Sequence, residues 1–340
     1  MVSEPGTESD IDQAALDAAV RHSSFTGVLT VDVGDERRFE RVEGFAHRAL
    51  RVPNTAQTRF AIASGSKTFT ALAVLRLIEE GVLSLDTRVR GVLGADLPLI
   101  DDDVTVEQLL THTSGIGDYI DEAADWDTND YVLPVPVHLL ADTEAFVPVV
   151  DGYPQSFPPG ERFAYCNGGY VVLALIAERA TGVEYHHLVE AEVCARAGLE
   201  KSSFLRSDDL PGDAALGYLF VEGDRTNVLH LPVRGNGDGG LYTTADDLHT
   251  FWRALTEGRI LNERTVEDIT RPRFDVPGED LRSGMGVFLG ETGPQLIMEG
   301  HDAGASFRSI HNPLTATTLS VMGNSSEGAW PVVALLTGTV

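Results

Sequence analysis

Phe60-Ala61-Ile62-Ala63-Ser64-Gly65-Ser66-Lys67-Thr68-Phe69-Thr70-Ala71-Leu72-Ala73-Val74-Leu75-Arg76-Leu77-Ile78-Glu79-Glu80-Gly81 sets a serine and a lysine three residues apart at the head of an apolar run with helical spacing. Gly81 supplies the residue type that ends helices in the left-handed conformation. Ser64 therefore belongs at or just before the first turn. Residues three apart share a helix face, so the Lys67 amine can reach the Ser64 hydroxyl, a poor nucleophile until a base removes its proton. The unpaired N–H groups and positive dipole end at that position favour an alkoxide and disfavour a proton on Lys67. A capping serine and a solvated lysine would give the same spacing. However, a first-turn cation opposes the dipole, and the chain otherwise uses arginine, with two lysines among its 25 basic residues.

The rest of the composition bounds what this serine can serve. At 340 residues and 43% hydrophobic content, the chain can bury a full core and form two lobes around one cleft. A formal net charge of −27, from 52 acidic against 25 basic residues, makes nucleic acid and anionic membrane surfaces poor partners. Cys166 and Cys194 form no framework and no Cys/His cluster has zinc spacing, so neither a metal nor a cofactor is expected. No apolar run is long enough to span a bilayer, and the first dozen residues are acidic and polar, which leads us to expect a cytoplasmic protein or a trimmed mature form.

Along the chain, residues 10–22 read as a helix, and 26–33 and 37–44 as two strands turned at Gly34-Asp35. Helical patterns follow at 66–80, 105–111, 168–181, 184–197 and 245–256. Short strands return at 285–289, 295–299, 304–310 and 316–322, before an apolar closing segment at 330–338. Strands from both chain ends with helices between them predict an α+β fold: a mixed, mainly antiparallel sheet flanked by helices, with an inserted helical lobe and a cleft at the junction. We expect one catalytic domain over 1–340, with 1–65 plus 215–340 forming the sheet lobe and 66–214 the helical lobe. The long segment 117–159 carries Asp118, Asp121, Glu122, Asp125, Asp127 and Asp130 beside Trp126 and Tyr131, and reads either as a solvated acidic insertion or as a substrate gate.

Two further stretches carry chemistry. In Phe157-Pro158-Pro159-Gly160-Glu161-Arg162-Phe163-Ala164-Tyr165-Cys166-Asn167, a Pro-Gly turn leads to a tyrosine and an asparagine two apart, just before a helix. Tyrosine can shuttle a proton, and asparagine can both donate to and accept from an amide. Cys166 between them reads as a small packed side chain. Glu299-Gly300-His301-Asp302-Ala303-Gly304-Ala305 ends one strand and opens another, with glycines that permit close approach to the backbone.

Together with Val106-Glu107-Gln108-Leu109-Leu110-Thr111-His112-Thr113-Ser114-Gly115 and Gly237-Asp238-Gly239-Gly240-Leu241-Tyr242-Thr243-Thr244, these stretches resemble the serine β-lactamase and penicillin-binding-protein superfamily. The likeness is to the branch holding class C β-lactamases, D,D-carboxypeptidases, D-aminopeptidases and related esterases. It implies that Ser64 is the acylated nucleophile, Lys67 its proton acceptor, Tyr165 the partner in proton transfer and Asn167 a ligand of the substrate amide. It also implies a third motif at His301-Asp302-Ala303, with alanine where the branch prefers glycine, and an oxyanion hole from the backbone N–H groups of Ser64 and Gly304. His112 falls in a segment expected to be structural. His186, His187 and His249 have no recognisable partners in sequence.

The implied cycle is acylation of Ser64 by an ester, amide or short peptide, followed by hydrolysis. Enzymes of this group that bind anionic lactams or peptide carboxyl ends commonly carry a third-motif lysine. His301 is largely neutral at pH 7, which leaves Arg308 as a substitute cation. The expected substrate is accordingly a neutral ester or a peptide with a free amine, with weak lactam hydrolysis compatible. The alternatives are a β-lactamase or D,D-carboxypeptidase proper, an acyltransferase, and a penicillin-binding sensor without turnover.

Overall fold

The computed structural model describes residues 11–120 and 127–338, so Asp121, Glu122, Asp125 and Trp126 lie outside the described residues. Helix α1 (Gln13–Ser23) is started by Asp12, whose carboxylate accepts from the N–H groups of Ala14 and Ala15. It leads into the hairpin β1 (Gly27–Val33) and β2 (Glu36–Glu43). The central region supplies α2 (Ser66–Glu79), α3 (Val106–Leu110), α4 (Asn167–Thr181) and α5 (Ala245–Thr256). The chain returns through β3 (Phe274–Asp275), β4 (Leu281–Ser283), β5 (Phe288–Gly290), β6 (Leu296–Asp302), β7 (Ala305–Asn312) and β8 (Thr317–Gly323), and closes with α6 (Trp330–Thr337).

These strands make one eight-stranded sheet in the order β2-β1-β8-β7-β6-β5-β4-β3, antiparallel at every pairing. The β1–β8 pairing, in register from Gly27↔Gly323 to Val33↔Thr317, joins the two ends of the chain. The α+β class with strands from both termini is as expected. The two strands β3 and β4 were not: at two and three residues they are too short for alternation to register.

The two faces of the sheet carry separate cores. Leu16 and Val20 of α1 pack with Val332, Val333 and Leu336 of α6 over Leu29, Val31, Leu319 and Val321 on one face. On the other side α2, α4 and α5 form the larger core, where Phe69 stacks on Phe251 at 4.6 Å. Helix α2 is buried almost all round, from Ser66 to Leu75 without interruption, as a helix at the centre of several layers must be. A short ladder, Phe60↔Thr243 and Ala61↔Tyr242, ties the approach to α2 to the segment before α5.

Two devices fix the start of α4, where Asn167 sits. The Asp118 carboxylate accepts from the N–H groups of Asn167 at 2.5 Å and Gly168 at 2.9 Å, and Cys166 Sγ accepts from Gly169 N–H at 3.3 Å. Four N–H groups at a helix start lack intrahelical partners, so these bonds anchor the turn as well as the helix. Burial pushes the Asp118 carboxyl up to about 6, against the opposing pull of the N–H donors.

Asp118→Ala removes both acceptors and is expected to lower unfolding stability by about 1–2 kcal/mol, measured by denaturant titration. Asp118→Asn gives a pH signature. A carboxyl raised in the folded state contributes its stability below the unfolded value, and that contribution is lost as pH rises through about 6. The wild-type-minus-variant difference should therefore fall between about pH 4 and 6 and stay flat above.

Candidate active site

Ser64 lies in a single 3-10 turn, Ala63–Gly65, that feeds directly into α2. Ala63 immediately before it has φ of +44°, a left-handed conformation that a residue with a Cβ adopts only when its surroundings hold it there. The turn is pinned on two sides. Ile62 N–H donates to Leu241 O, and Ser66 Oγ donates to Ala63 O while accepting from Leu241 N–H.

Lys67, 5% exposed, extends back along α2 to Ser64, and its Nζ lies 2.9 Å from Ser64 Oγ. The same nitrogen reaches Asn167 Oδ1 at 2.7 Å and the backbone carbonyl of Asp238 at 2.6 Å. Three segments far apart in sequence thus meet on one amine. Both carbonyls can only accept, so each takes an N–H of Lys67. The contact with Ser64 Oγ is the one whose donor and acceptor can exchange.

Tyr165 lines the same cavities as Ser64, and its ring centroid lies 5.0 Å from Lys67 Nζ. Its ring stacks on His112 at 4.6 Å. His112 Nδ1 accepts the Cys166 N–H at 3.1 Å, which places the ring proton on Nε2. Burial, and next the charge of Lys67, push its pKa down to about 3, so it stays neutral. His112 therefore packs under Tyr165 and holds the Cys166 N–H, a structural role of the kind expected. Its signal in sequence was only its place inside a signature segment.

The third motif falls elsewhere than expected. Gly304 occupies the two-residue turn between β6 and β7 at φ of +75°, and its N–H donates to Ser326 Oγ at 2.9 Å, away from Ser64. A Cβ at Gly304 would meet Gly217 and Tyr218, whereas a Cβ at Gly300 would lie 2.1 Å from Ile62 O and 2.8 Å from Ser64 N. The strand residue that must be glycine to pack against the Ser64 turn is thus Gly300, and the three residues that flank Ser64 are Met298-Glu299-Gly300. The expected oxyanion donor Gly304 is corrected on this ground: the hairpin is too short to bring it back to Ser64.

His301 keeps its place beside Ser64, since both line the same two cavities. Its Nε2 lies 3.0 Å from the Glu327 carboxylate, and the ring meets Trp330 edge-on. Asp302↔Ala305 closes the turn as a hydrogen-bonded pair, so His301↔Ser306 is a non-hydrogen-bonded one. The N–H of His301 therefore projects off β7 toward the edge of β6 that is unpaired beyond Ile297. Arg308, expected as a substitute cation, is held by the Glu299 carboxylate through two of its nitrogens.

Among the described residues, no group of His, Cys, Asp and Glu is arranged to hold a metal, and no helix is long and apolar enough to cross a membrane. The Cys166 and Cys194 thiols are buried, and burial pushes both pKa values up, which makes them poor nucleophiles.

The beta-lactamase family model matches residues 13–336. Penicillin-binding protein 4* of Bacillus subtilis is 28% identical over 78% of the chain, of which the chain spans 60% of the relative's length. Esterase EstB of Burkholderia gladioli is 31% identical over 76% of the chain and 72% of the esterase. The D-aminopeptidase of Brucella anthropi is 28% identical over 84% of the chain and 54% of the relative. Among solved structures, the penicillin binding protein from Bacillus halodurans superposes with a TM-score of 0.88 at 37% identity, over 96% of this chain and 100% of that one. The match across nearly the whole chain, on a fold that delivers Ser64, Lys67 and Asn167 to one point, makes the protein a member of the beta-lactamase family.

Proposed function

We propose that the protein is a serine hydrolase that cleaves an ester or amide through an acyl-enzyme on Ser64. The observation that carries this reading is the 2.9 Å contact of Lys67 Nζ with Ser64 Oγ, alongside its contacts with the carbonyl oxygens of Asn167 and Asp238. The carbonyl oxygens of Asn167 and Asp238 take N–H bonds from this amine, and a neutral Lys67 can turn its lone pair to the Ser64 proton.

In acylation, Ser64 Oγ forms a bond to the substrate carbonyl carbon while its proton moves to Lys67, with Tyr165 beside it as relay. The tetrahedral oxyanion is held by the N–H groups of Ser64 and His301. Collapse breaks the carbonyl bond to the leaving oxygen or nitrogen, which takes the proton. Water then attacks the acyl carbon, gives its proton to the same pair and releases the acid, restoring Ser64.

The surroundings favour an esterase or peptidase substrate over a lactam. Met298 stands two residues before Gly300, where a cationic anchor for a substrate carboxylate would be useful, and Arg308 is neutralised by Glu299. EstB and the D-aminopeptidase are relatives at similar identity, which fits either outcome of the acyl chemistry.

A fluorophosphonate probe should add its mass to the peptide containing Ser64, and Ser64→Ala should abolish both labelling and turnover of a nitrophenyl ester. Unchanged labelling of the Ser64→Ala variant would falsify the nucleophile assignment. Lys67→Met should lower kcat/KM by roughly 10²–10⁴-fold with the fold intact by circular dichroism. Gly300→Ala introduces a Cβ against Ile62 O and Ser64 N, so it is expected to cost about 1–3 kcal/mol of stability. The same change should cut kcat by on the order of 10²-fold or more by displacing an oxyanion donor, read from steady-state kinetics and thermal melts.

A further inference from the structure

One cavity beside Ser64 is unlike a general ester cleft. It encloses about 840 Å³ of space, part of it open to solvent, between residues 119–120, 131–146, 205–242 and the end of β6. Leu133, Phe146, Leu231 and Val233 give it an apolar wall. The opposite lining is built from acceptors. Asp302 Oδ1 accepts from Tyr131 O–H at 3.1 Å and from Ala303 N–H at 2.8 Å, and Asp238 Oδ2 accepts from Tyr119 O–H. Each carboxylate is thereby fixed in place with a second oxygen directed elsewhere.

An independent feature points to a ligand. Asn236, 1% exposed, lines this cavity, and both polar atoms of its side-chain amide are buried without a hydrogen-bond partner. Its backbone is locked by mutual bonds with Gly239, at 2.9 and 3.2 Å, so the amide is held in place. Ser207 Oγ, in the same lining, is also buried and unpaired. Buried amides and hydroxyls in native proteins are almost always paired. A group that brings several N–H donors into this space would satisfy Asn236 Oδ1 and Ser207 Oγ together with the spare carboxylate oxygens.

We propose that this cavity is a recognition site for a primary ammonium on the acyl part of the substrate, bound by Asp238, Asp302 and Asn236 while an apolar side chain lies on the Leu133–Phe146 wall. The inference rests on the reading of Ser64 as nucleophile, because Ser64 lines the same cavity and a group bound there lies beside the carbonyl that Ser64 attacks. The charges that face Asp302 are those of His301 and Asp238, and burial raises its carboxyl to about 6, so it remains ionised at neutral pH. A substrate carboxylate would be repelled here, and an acylated amine would lose its charge and keep a single N–H donor.

Binding and turnover separate this inference from the catalytic one. On the full chain at pH 7, calorimetry with 2-phenylethylamine and with its N-acetyl derivative tests recognition without chemistry. The amine should bind at least tenfold more tightly, and Asp302→Asn and Asn236→Leu should each remove most of that preference. Equal affinity of the two ligands for the wild type, or a preference that survives in both variants, would overturn the proposal. In parallel, kcat/KM for phenylalanine p-nitroanilide should exceed that for its N-acetyl form by at least tenfold in the wild type, with the ratio collapsing in the variants through KM. Should fluorophosphonate fail to label Ser64 while the amine still binds selectively, the catalytic reading fails and the ammonium site stands.

Discussion

The amine of Lys67 is the point on which the site depends. It belongs to a helix buried on nearly every side, and it meets the turn that precedes that helix, the start of α4 and the segment before α5. An amine in such surroundings is costly unless each N–H is satisfied, because burying an unpaired donor forfeits its bonds to water. The same bonds that make the burial tolerable also orient the nitrogen toward Ser64. Stability and reactivity are here two consequences of one arrangement.

Around that amine the fold builds supports in layers. Asp118 holds the first turn of α4, so Asn167 is delivered at a fixed height. His112 grips the Cys166 N–H and stacks on Tyr165, so the phenol ring cannot rotate away freely. Gly300 lets β6 press against the Ser64 turn at a distance no other residue allows. The left-handed Ala63 marks the local strain that this contact sustains. None of these groups touches a reacting bond, yet each sets the position of one that does.

The acidic character of the chain reaches the site in a selective way. On the surface a share of the carboxylates is matched by arginine, as in the pairs of Arg37, Arg76 and Arg179. Such exposed pairs add little each and are screened by salt. Within the cavity, Asp238 and Asp302 are instead held by the phenols of Tyr119 and Tyr131, which fix the carboxylates without cancelling their charge. Arg308, the cation on the neighbouring strand, is given to Glu299. The field that a substrate meets is thus set by which carboxylates received an arginine and which received a tyrosine.

Much was legible in the sequence by itself, because local patterns report local physics. Apolar spacing gave α2, α4 and α5, alternation gave β1, β2 and the strands around 296–322, and the Ser64–Lys67 spacing gave the contact of hydroxyl and amine. The Tyr165–Asn167 turn was recognisable by its residue types. What it did not determine was register and partnership. His301-Asp302-Ala303 resembled the third motif, but the two-residue turn at Ala303-Gly304 shortens the hairpin and moves the contact with Ser64 to Gly300. Arg308 read as a spare cation until β6 set Glu299 opposite it. Asn236 carries no signal in the sequence; the tertiary structure alone encloses its amide without a partner. Register across a hairpin and closure of a cavity depend on contacts that no local pattern encodes, and only the folded chain decides which residues meet.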